Sequence, residues 1–502
     1  MIGPEPSPSP AKDLALESNR WPPLTKTVVL SGLTAAAVLV HGYHPFVEDA
    51  EIYVPAVRRL LNPGLFPHDA AFFVGQTKLS LFPQIVAFSI RIGHLPFDWA
   101  LLLWHVLSIF LLLAAVWRIA ELCFPGRRGQ WFGVALVASL LTMPVAGTAL
   151  YIMDQYVTAR SLSTAASIWA VTSFLDRKWK AGSLWIGFTF VVHPLMAALV
   201  IAYLGIWFVL SRPRRLQWGT RAAALAVLAL PVTESYRQAV DTRSYLFLSH
   251  WEWYEWIGAV APLMILWWFS RIARTRGAVT LEVVARSLAI FGLVFFCLGL
   301  LVSFVPALFS LAKFQPMRSL HLIYIMMLLL GAGLIEQFVI RGRSWLALSL
   351  LLAISAGMFY SQRREFPSTA HIEGPWKVPT NDWVQGFLWI RDHTPADAYF
   401  ALDPRAMVLP GEDEHGFRAI AQRSRLADSV KDPGAVTIAP SLAQAWSAQL
   451  QAQTGWKDFQ LSDFSRLRQQ FGVNWVVLEQ PGKAGLDCLF ENRALRVCRI
   501  PD

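Results

Sequence analysis

The chain has 502 residues, of which 55% are hydrophobic and only 16% are charged, and its mean hydropathy is +0.42. A soluble protein of this length would carry about 25% charged residues, so the composition excludes an ordinary soluble enzyme. The net charge of +10 does not indicate nucleic-acid binding, because Arg and Lys form short clusters between apolar segments. We therefore expect membrane lipids, and no nucleic acid, among its partners.

Apolar segments recur from Thr27 to Tyr360 and predict about eleven transmembrane helices. The predicted spans lie near residues 27–42, 97–117, 131–150, 158–175, 182–193, 195–210, 222–236, 256–270, 284–304, 317–337 and 344–360. The triplet "HPL" at 193–195 divides one long apolar run into two short helices. Residues 79–92 are too short to cross comfortably and predict a re-entrant or juxtamembrane helix, whose crossing would change the span count by two.

Basic clusters between the spans predict the orientation of the chain. They are "GRR" (126–128), "DRKWK" (176–180), "SRPRRLQWGTR" (211–221), "SRIARTR" (270–276) and "IRGR" (340–343). Cytoplasmic loops are enriched in Arg and Lys, so these clusters place the N-terminus inside and the C-terminus outside. Residues 1–24 are then a polar cytoplasmic tail without a cleaved signal, in an integral plasma-membrane protein, with a bacterial inner membrane as the expected location.

Several ionisable residues fall at the predicted outer face. The stretch "HGYHPFVEDAEIYVPAVRRLL" (41–61) contains Glu48, Asp49 and Glu51 at the start of an outside loop, residues 43–78. Other outer-face groups are His44, Lys78, Asp154, Arg160, His193 and Arg318. Ionisable groups beside spans are costly and usually face a cavity, so the pattern predicts one extracytoplasmic site.

Residues 361–502 predict a small extracytoplasmic α/β domain after the membrane domain of residues 25–360. "DWVQGFLWIRDHT" and "DFSRLRQQFG" read as helices, and "AYFALD", "VNWVVLE" and "LRVCRI" as strands. Cys488 and Cys498 flank a predicted hairpin turn, "ENRA". They are either a disulfide, which the setting outside the cytoplasm permits, or two small apolar strand residues.

The order of these elements resembles the GT-C superfamily of membrane glycosyltransferases, which take sugars from polyprenyl-phosphate carriers at the outer face. The shared features are an outside loop with an acidic group after the first span, an amphipathic helix ("VPAVRRLLNPGLF"), a Pro-containing apolar segment ("KLSLFPQIVAF") and an outside C-terminal domain. "WIRDHTPADAYF" (389–400) looks like the start of that domain in uncharacterised bacterial relatives. The chain has Glu-Asp-x-Glu in place of the Asp-Glu or Asp-x-Asp pair often seen, and it lacks the WWDYG-type signature.

The resemblance implies transfer of a sugar from a polyprenyl-phosphate carrier to a glycan, lipid or protein acceptor. The matching catalytic acids are Asp49, with Glu48 and Glu51 beside it, and Asp154 in "YIMDQYVTARSL". Asp49 is the predicted base, and Lys78, Arg160 and Arg318 are the predicted phosphate-binding cations. A divalent cation, Mg or Mn, is a possible cofactor, with His44 and His193 as candidate ligands beside the acids, although no spacing specifies a site.

Plainer interpretations of the same residues remain open. Asp49 and Glu51 precede a helix expected to start near Pro55, where acids favour the helix dipole without catalysis. The pair 193–194 is equally typical of a turn, and Arg160 and Arg318 are equally typical of interfacial anchors. The alternative functions are a transporter or flippase for a lipid-linked substrate, or a catalytically silent GT-C-like scaffold. Against a transporter, no charged residue lies in the middle of a span and no similar halves are found.

Overall fold

The structure is a computed structural model that describes residues 22–211, 233–483 and 485–501. The predicted span at 222–236, the basic cluster at 211–221 and the tail at 1–24 lie mostly outside this described part. Within it, seven helices are long and apolar enough to cross a membrane. Helices satisfy their own backbone hydrogen bonds, which a bilayer requires, so the chain is a polytopic α-helical membrane protein.

The N-terminal part of the chain is helical throughout. Its helices are α1 (Pro23–His41), α2 (Ala50–Leu61), α3 (Ala71–Thr77), α4 (Phe82–Gly93), α5 (Phe97–Cys123), α6 (Arg127–Ser139), α7 (Ala159–Leu175), α8 (Trp179–Val192), α9 (Pro194–Ser211), α10 (Glu234–Asp241), α11 (Trp253–Thr275), α12 (Val279–Phe304), α13 (Ser319–Ile335) and α14 (Ser344–Glu365). One of these seven helices is the helical run Pro306–Ile340, which contains α13. Helices α6, α7 and α8 coincide with three further predicted spans but are shorter than any of the seven membrane-spanning candidates. The count of eleven crossings therefore stays a prediction.

The basic clusters that the structure describes meet at one end of the bundle. Lys26 Nζ lies 2.6 Å from Glu121 Oε1, and Arg118 Nη2 lies 2.7 Å from Asp176 Oδ2. Arg128 packs against Gly342 in the same region. These contacts join the start of α1 to the ends of α5 and α7 and to the connection before α14. The arrangement is the one that the positive-inside pattern predicts, whichever side of the membrane this end faces.

Helix α4 corresponds to residues 79–92, for which the sequence left open whether the segment crosses the membrane. It does not traverse the bundle. The backbone N–H before it, of Leu81, donates to Val191 O across 2.8 Å, and Arg91 near its end donates to Leu60 O. Both ends of α4 therefore lie at the bundle end opposite the basic clusters. Its apolar residues Phe82 and Val86 are buried there against the amphipathic helix α2.

The C-terminal part is a five-stranded sheet with helices on both faces. Its helices are α15 (Asp382–His393), α16 (Phe417–Ala421), α17 (Asp432–Ile438), α18 (Ala443–Ala452) and α19 (Leu461–Phe471), and its strands are β1 (Tyr399–Ala401), β2 (Ser424–Arg425), β3 (Trp475–Glu479), β4 (Asp487–Glu491) and β5 (Leu495–Arg499). The strand order is β2-β1-β3-β5-β4, parallel at β2-β1-β3 and antiparallel at β3-β5-β4. Helices α15 and α19 cover opposite faces. We refer to residues 366–501 as the C-terminal domain.

The C-terminal domain packs on the bundle end that carries α2 and α4. His44 Nδ1 lies 2.9 Å from Glu373 Oε2, and Gly416 N donates to Phe46 O across 2.8 Å. Helix α14 continues to Glu365, past the predicted end at Tyr360, and Glu365 accepts a hydrogen bond from Tyr151. The domain and the start of α1 are therefore at opposite ends of the bundle. Their assignment to the outside and the inside of the cell stays a prediction.

Candidate active site

A cavity of about 940 Å³ lies between the bundle end and the C-terminal domain. Its walls come from six connections between helices, from the adjoining ends of some of those helices, and from α17 with the turn before it. The ionisable side chains that line it are Glu48, Asp49, Tyr53, Tyr151, Asp154, Tyr156, Arg160, His193, Arg243, Tyr245, Lys313, Arg318 and Lys431. Segments that are far apart in sequence thus present acids and bases to one space. Five of these side chains are Arg or Lys and three are Asp or Glu, which favours an anionic occupant.

Arg160 connects the two predicted acids. Its Nη2 lies 2.6 Å from Asp154 Oδ2, and its Nη1 lies 3.4 Å from Asp49 Oδ2. Thr158 caps α7 by accepting from Arg160 N, which fixes the backbone at the point where the arginine side chain leaves the helix. These contacts show that Arg160 forms ion pairs in the cavity rather than an anchor to phospholipid head groups.

Asp49 and Asp154 differ in their access to the cavity. The side chain of Asp49 is 28% exposed, whereas that of Asp154 is 3% exposed and receives two hydrogen bonds from Arg160. Burial raises the pKa of Asp154, and the Arg160 guanidinium opposes that shift. Asp154 is thus placed to orient Arg160, and Asp49 has the better access to a reacting group.

The start of α2 differs from the expected geometry. The helix begins at Ala50, so Pro55 is in its interior rather than in its first turn, and the prediction of a helix start near Pro55 was wrong. Proline has no N–H and leaves the Glu51 carbonyl without its usual helical partner. Asp49 occupies the N-cap position but makes no side-chain capping hydrogen bond. Its carboxylate points toward Arg160 and Lys431 instead, so the capping interpretation does not describe it.

Arg318 lies directly before α13 and lines the same cavity as Asp49. Its buried Nε has no hydrogen-bond partner in the part of the chain that the structure describes. A guanidinium with an unused donor can bind an anion that enters the cavity. His193, between α8 and α9, lines the same cavity, and it also forms the break between the two short helices.

Glu51, which was predicted as a catalytic acid, is not among the residues that line the cavity. Its side chain is fully buried between α2 and α16, where it accepts from Ala419 N across 3.1 Å and pairs with Arg418 at 3.4 Å. The helical rotation between residues 49 and 51 turns the two carboxylates toward different neighbours. Burial raises the pKa of Glu51 to about 7, against the effect of the nearby Arg418. Its role is in the contact between the bundle end and the C-terminal domain.

Lys78 and His44 are also outside the cavity. Lys78 ends α3 with its side chain exposed, and the cavity lining resumes at Leu79 and Ser80. His44 is buried, stacks on Phe366 and pairs with Glu373. His44 therefore does not line the cavity that His193 lines, and a metal site with either histidine stays a prediction. Among the described residues, no group of three or more His, Cys, Asp or Glu side chains is arranged to hold a metal ion.

Three cationic residues of the cavity were missed by the sequence reasoning. Lys431 lies beside Asp49, with Nζ 3.4 Å from Oδ1, and it also contacts the Glu48 carboxylate. Arg243 and Lys313 line other parts of the wall. Lys313 follows an apolar segment, which is a local sequence signal comparable to that of Arg318. Lys431 and Arg243 have no such signal, because their approach to the cavity depends on how the C-terminal domain packs.

The structure joins Cys488 and Cys498 in a disulfide between β4 and β5. The two residues are direct partners across these antiparallel strands. The hairpin turn predicted between them lies at residues 492–494. The bond joins the edge strand β4 to β5, and neither cysteine lines the cavity.

Among comparisons with known proteins, only the comparison of three-dimensional structures finds a similarity to this chain. No family model matches the chain, and no curated protein matches it. The chain is similar to the cryo-EM structure of arabinofuranosyltransferase AftD from mycobacteria, with a TM-score of 0.41 and 15% sequence identity over 94% of this chain and 41% of that one. The chain thus spans less than half the length of that enzyme. By its own helices and sheet, the chain is a polytopic membrane protein with a small C-terminal α/β domain.

Proposed function

We propose that this chain is a membrane glycosyltransferase that transfers a sugar from a polyprenyl-phosphate carrier to an acceptor hydroxyl at the outer face of the membrane. The observation that carries the proposal is that Asp49 and Arg318 line one cavity at the end of a membrane bundle. One is a partly exposed carboxylate and the other is a guanidinium with an unused donor. A reaction that removes a proton from an alcohol and releases a phosphate needs both groups.

In the proposed reaction the acceptor oxygen attacks the anomeric carbon of the sugar. Its proton passes to Asp49 as the new carbon–oxygen bond forms, and the bond between the anomeric carbon and the phosphate oxygen breaks. The electron pair leaves with the polyprenyl phosphate, whose charge Arg318 stabilises, with Lys313 on the same connection before α13. A single displacement of this kind inverts the anomeric carbon.

The surplus of basic over acidic side chains in the lining supports an anionic donor. The apolar lining residues Ile52, Leu79, Val192 and Leu195 support a donor with a hydrocarbon chain. The cavity volume of about 940 Å³ accommodates a sugar phosphate together with part of an acceptor. Lipid-linked sugar and the acceptor glycan, lipid or protein are accordingly the proposed partners.

The test uses purified full-length protein in nanodiscs with short-chain polyprenyl-phosphate pentoses and hexoses. Mass spectrometry measures the release of polyprenyl phosphate and the sugar-bearing product. We expect release that depends on an added acceptor and that is lost in Asp49→Asn. In proteoliposomes, movement of intact lipid-linked sugar across the bilayer without release would instead support a flippase. Binding without either activity would support the silent scaffold.

A further inference from the structure

The C-terminal domain contributes a charged side chain to the candidate active site. Its residues in the cavity wall are Val430, Lys431, Gly434 and Ile438. Lys431 reaches the acidic group of the bundle end, where its Nζ contacts Glu48 and lies 3.4 Å from Asp49 Oδ1. Its side chain is only 8% exposed. A lysine in this position belongs to the site and not to the solvated surface of the domain.

The backbone of Lys431 is held in place by a tight turn. Asp428 Oδ1 accepts from the backbone N–H groups of Val430, Lys431 and Asp432, at 2.9, 2.6 and 3.0 Å. Arg243, from the connection before α11, donates to Lys431 O across 2.9 Å. The lysine therefore leaves the domain from a fixed point, which reduces the entropy lost when its side chain orders.

A buried ionic network ties this turn to the helix that follows Asp49. Arg418 donates to Asp432 across 2.7 Å and pairs with Glu51 at 3.4 Å. Glu51 is in the first turn of α2, two residues after Asp49. Lys431 and Asp49 thus project from two backbone segments that are fixed to each other by contacts outside the cavity.

The charges around Asp49 require a second cation. The carboxylates of Glu48, Asp49 and Asp154 lie close together, and Arg160 is engaged mainly by Asp154 at 2.6 Å. Arg318 lines the same cavity and interacts electrostatically with Asp49 and Asp154. On one side of Asp49, Oδ2 faces Arg160, and on the other side Oδ1 faces Lys431.

We propose that Lys431 is a positioning residue of the transferase, which orients the Asp49 carboxylate so that the site is complete only when the C-terminal domain is docked. This inference rests on the proposed function of Asp49 as the base. Burial lowers the pKa of Lys431 to about 7, and the adjoining carboxylates favour its charged form. The lysine therefore supplies its charge most fully on the acidic side of neutrality.

The test compares Lys431→Gln, Lys431→Arg and the exposed control Lys457→Gln from the same domain. Release of polyprenyl phosphate is measured as a function of pH, with kcat and KM separated. We expect Lys431→Gln to lower kcat by about 10- to 100-fold through misplacement of the base, with KM for the donor changed less than about twofold. Lys431→Arg should restore most of kcat, and Lys457→Gln should behave as wild type.

Two results would overturn the inference. One is a Lys431→Gln variant whose kcat and KM equal those of Lys457→Gln at every pH. The other is a loss of kcat in Lys431→Gln that Lys431→Arg does not rescue. A double-mutant cycle of Lys431→Gln with Asp49→Asn, read by thermal unfolding, does not depend on activity. We expect the double variant to change the melting temperature by less than the two single variants together. If the cycle shows coupling while wild type transfers no sugar, the proposed function fails but the pairing of Lys431 with Asp49 stands. If the two single changes add, the pairing itself is wrong.

Discussion

Arg160 lies between two carboxylates from different connections, 2.6 Å from Asp154 and 3.4 Å from Asp49. The guanidinium therefore links the connection before α7 to the start of α2. Because Asp154 holds Arg160 by two hydrogen bonds, the arginine is a fixed neighbour for Asp49. This arrangement supports the proposal that Asp49 is the base and that Asp154 orients Arg160.

Replacement of Asp49 by Asn should remove the proton acceptor and retain the size of the side chain. We expect kcat to fall by about 10²- to 10⁴-fold, with binding of undecaprenyl phosphate little changed. Sugar transfer and carrier binding are measured at matched expression, with the exposed Asp487→Asn on β4 as the control. Full activity in Asp49→Asn would reduce the acidic cluster to a structural role.

Replacement of Arg318 by Ala should weaken both carrier binding and turnover, because the phosphate is charged before transfer and as it leaves. We expect kcat to fall by about 10²- to 10³-fold, as when one donor to a developing anion is removed. Lys78→Ala is the matched control, since Lys78 is exposed and outside the cavity. Equal losses in the two variants would place the phosphate site near Lys78 and contradict the assignment.

The stability of the docked C-terminal domain should depend on pH through Glu373 and His415, whose nearest side-chain atoms lie 3.1 Å apart. Although burial alone would raise it, His415 and His44 lower the pKa of Glu373 from 4.5 to about 2. Because the pKa of Glu373 is lower in the folded state, its carboxylate stabilises the folded state above pH 4.5, and this stabilisation is lost as the pH falls toward 2. The shift corresponds to roughly 3 kcal/mol in the free energy of unfolding. Burial lowers the pKa of His415, but Glu373 raises it, so that the pKa of His415 in the folded state is above 6.5. The stabilisation that the charged His415 contributes is therefore complete below pH 6.5 and is lost as the pH rises through the pKa of the folded state.

The melting temperature should therefore be highest between about pH 4.5 and 6.5 and decline on both sides. Thermal unfolding of wild type and Glu373→Gln across this range measures the effect. The variant should melt lower inside the window and vary less with pH. A variant curve parallel to wild type would show that other groups set the pH dependence.

The orientation prediction is tested by reporter fusions. An alkaline phosphatase fused after Phe366 should be active, because the domain is predicted to lie outside the cytoplasm, whereas a fusion after Gly126 in a basic cluster should be inactive. Activity in the second fusion and not in the first would reverse the topology and place the cavity on the cytoplasmic side.

The disulfide should be detectable by mass spectrometry of non-reduced, alkylated protein. We expect a linked peptide that contains Cys488 and Cys498, whereas Cys123 and Cys297 should carry the alkylating label after denaturation, because both are free cysteines in the structure. Label on Cys488 and Cys498 before reduction would contradict the prediction.

The sequence alone determined the elements whose causes are local. The apolar runs between Thr27 and Tyr360 predicted most described bundle helices, since a bilayer admits long uncharged segments only as helices. Local sequence also predicted the break at residues 193–194, which contains a proline. The local pattern predicted two helices of the C-terminal domain as well, at 382–393 and 461–471. The exception was Pro55, whose position inside α2 depends on tertiary packing of that amphipathic helix.

Only the tertiary structure decided which ionisable residues share the cavity. Asp49, Asp154, Arg160 and Arg318 are brought together in it, whereas Glu51, Lys78 and His44 are turned to other neighbours by the helices and loops that carry them. Lys431 was not foreseen, because nothing within its own segment requires a lysine near Asp49. The hydropathy and the charge clusters of a segment determine whether that segment lies in the bilayer or in water, and both can be read from its own sequence. An ion pair between residues 49 and 431 depends instead on the packing of two distant parts of the chain.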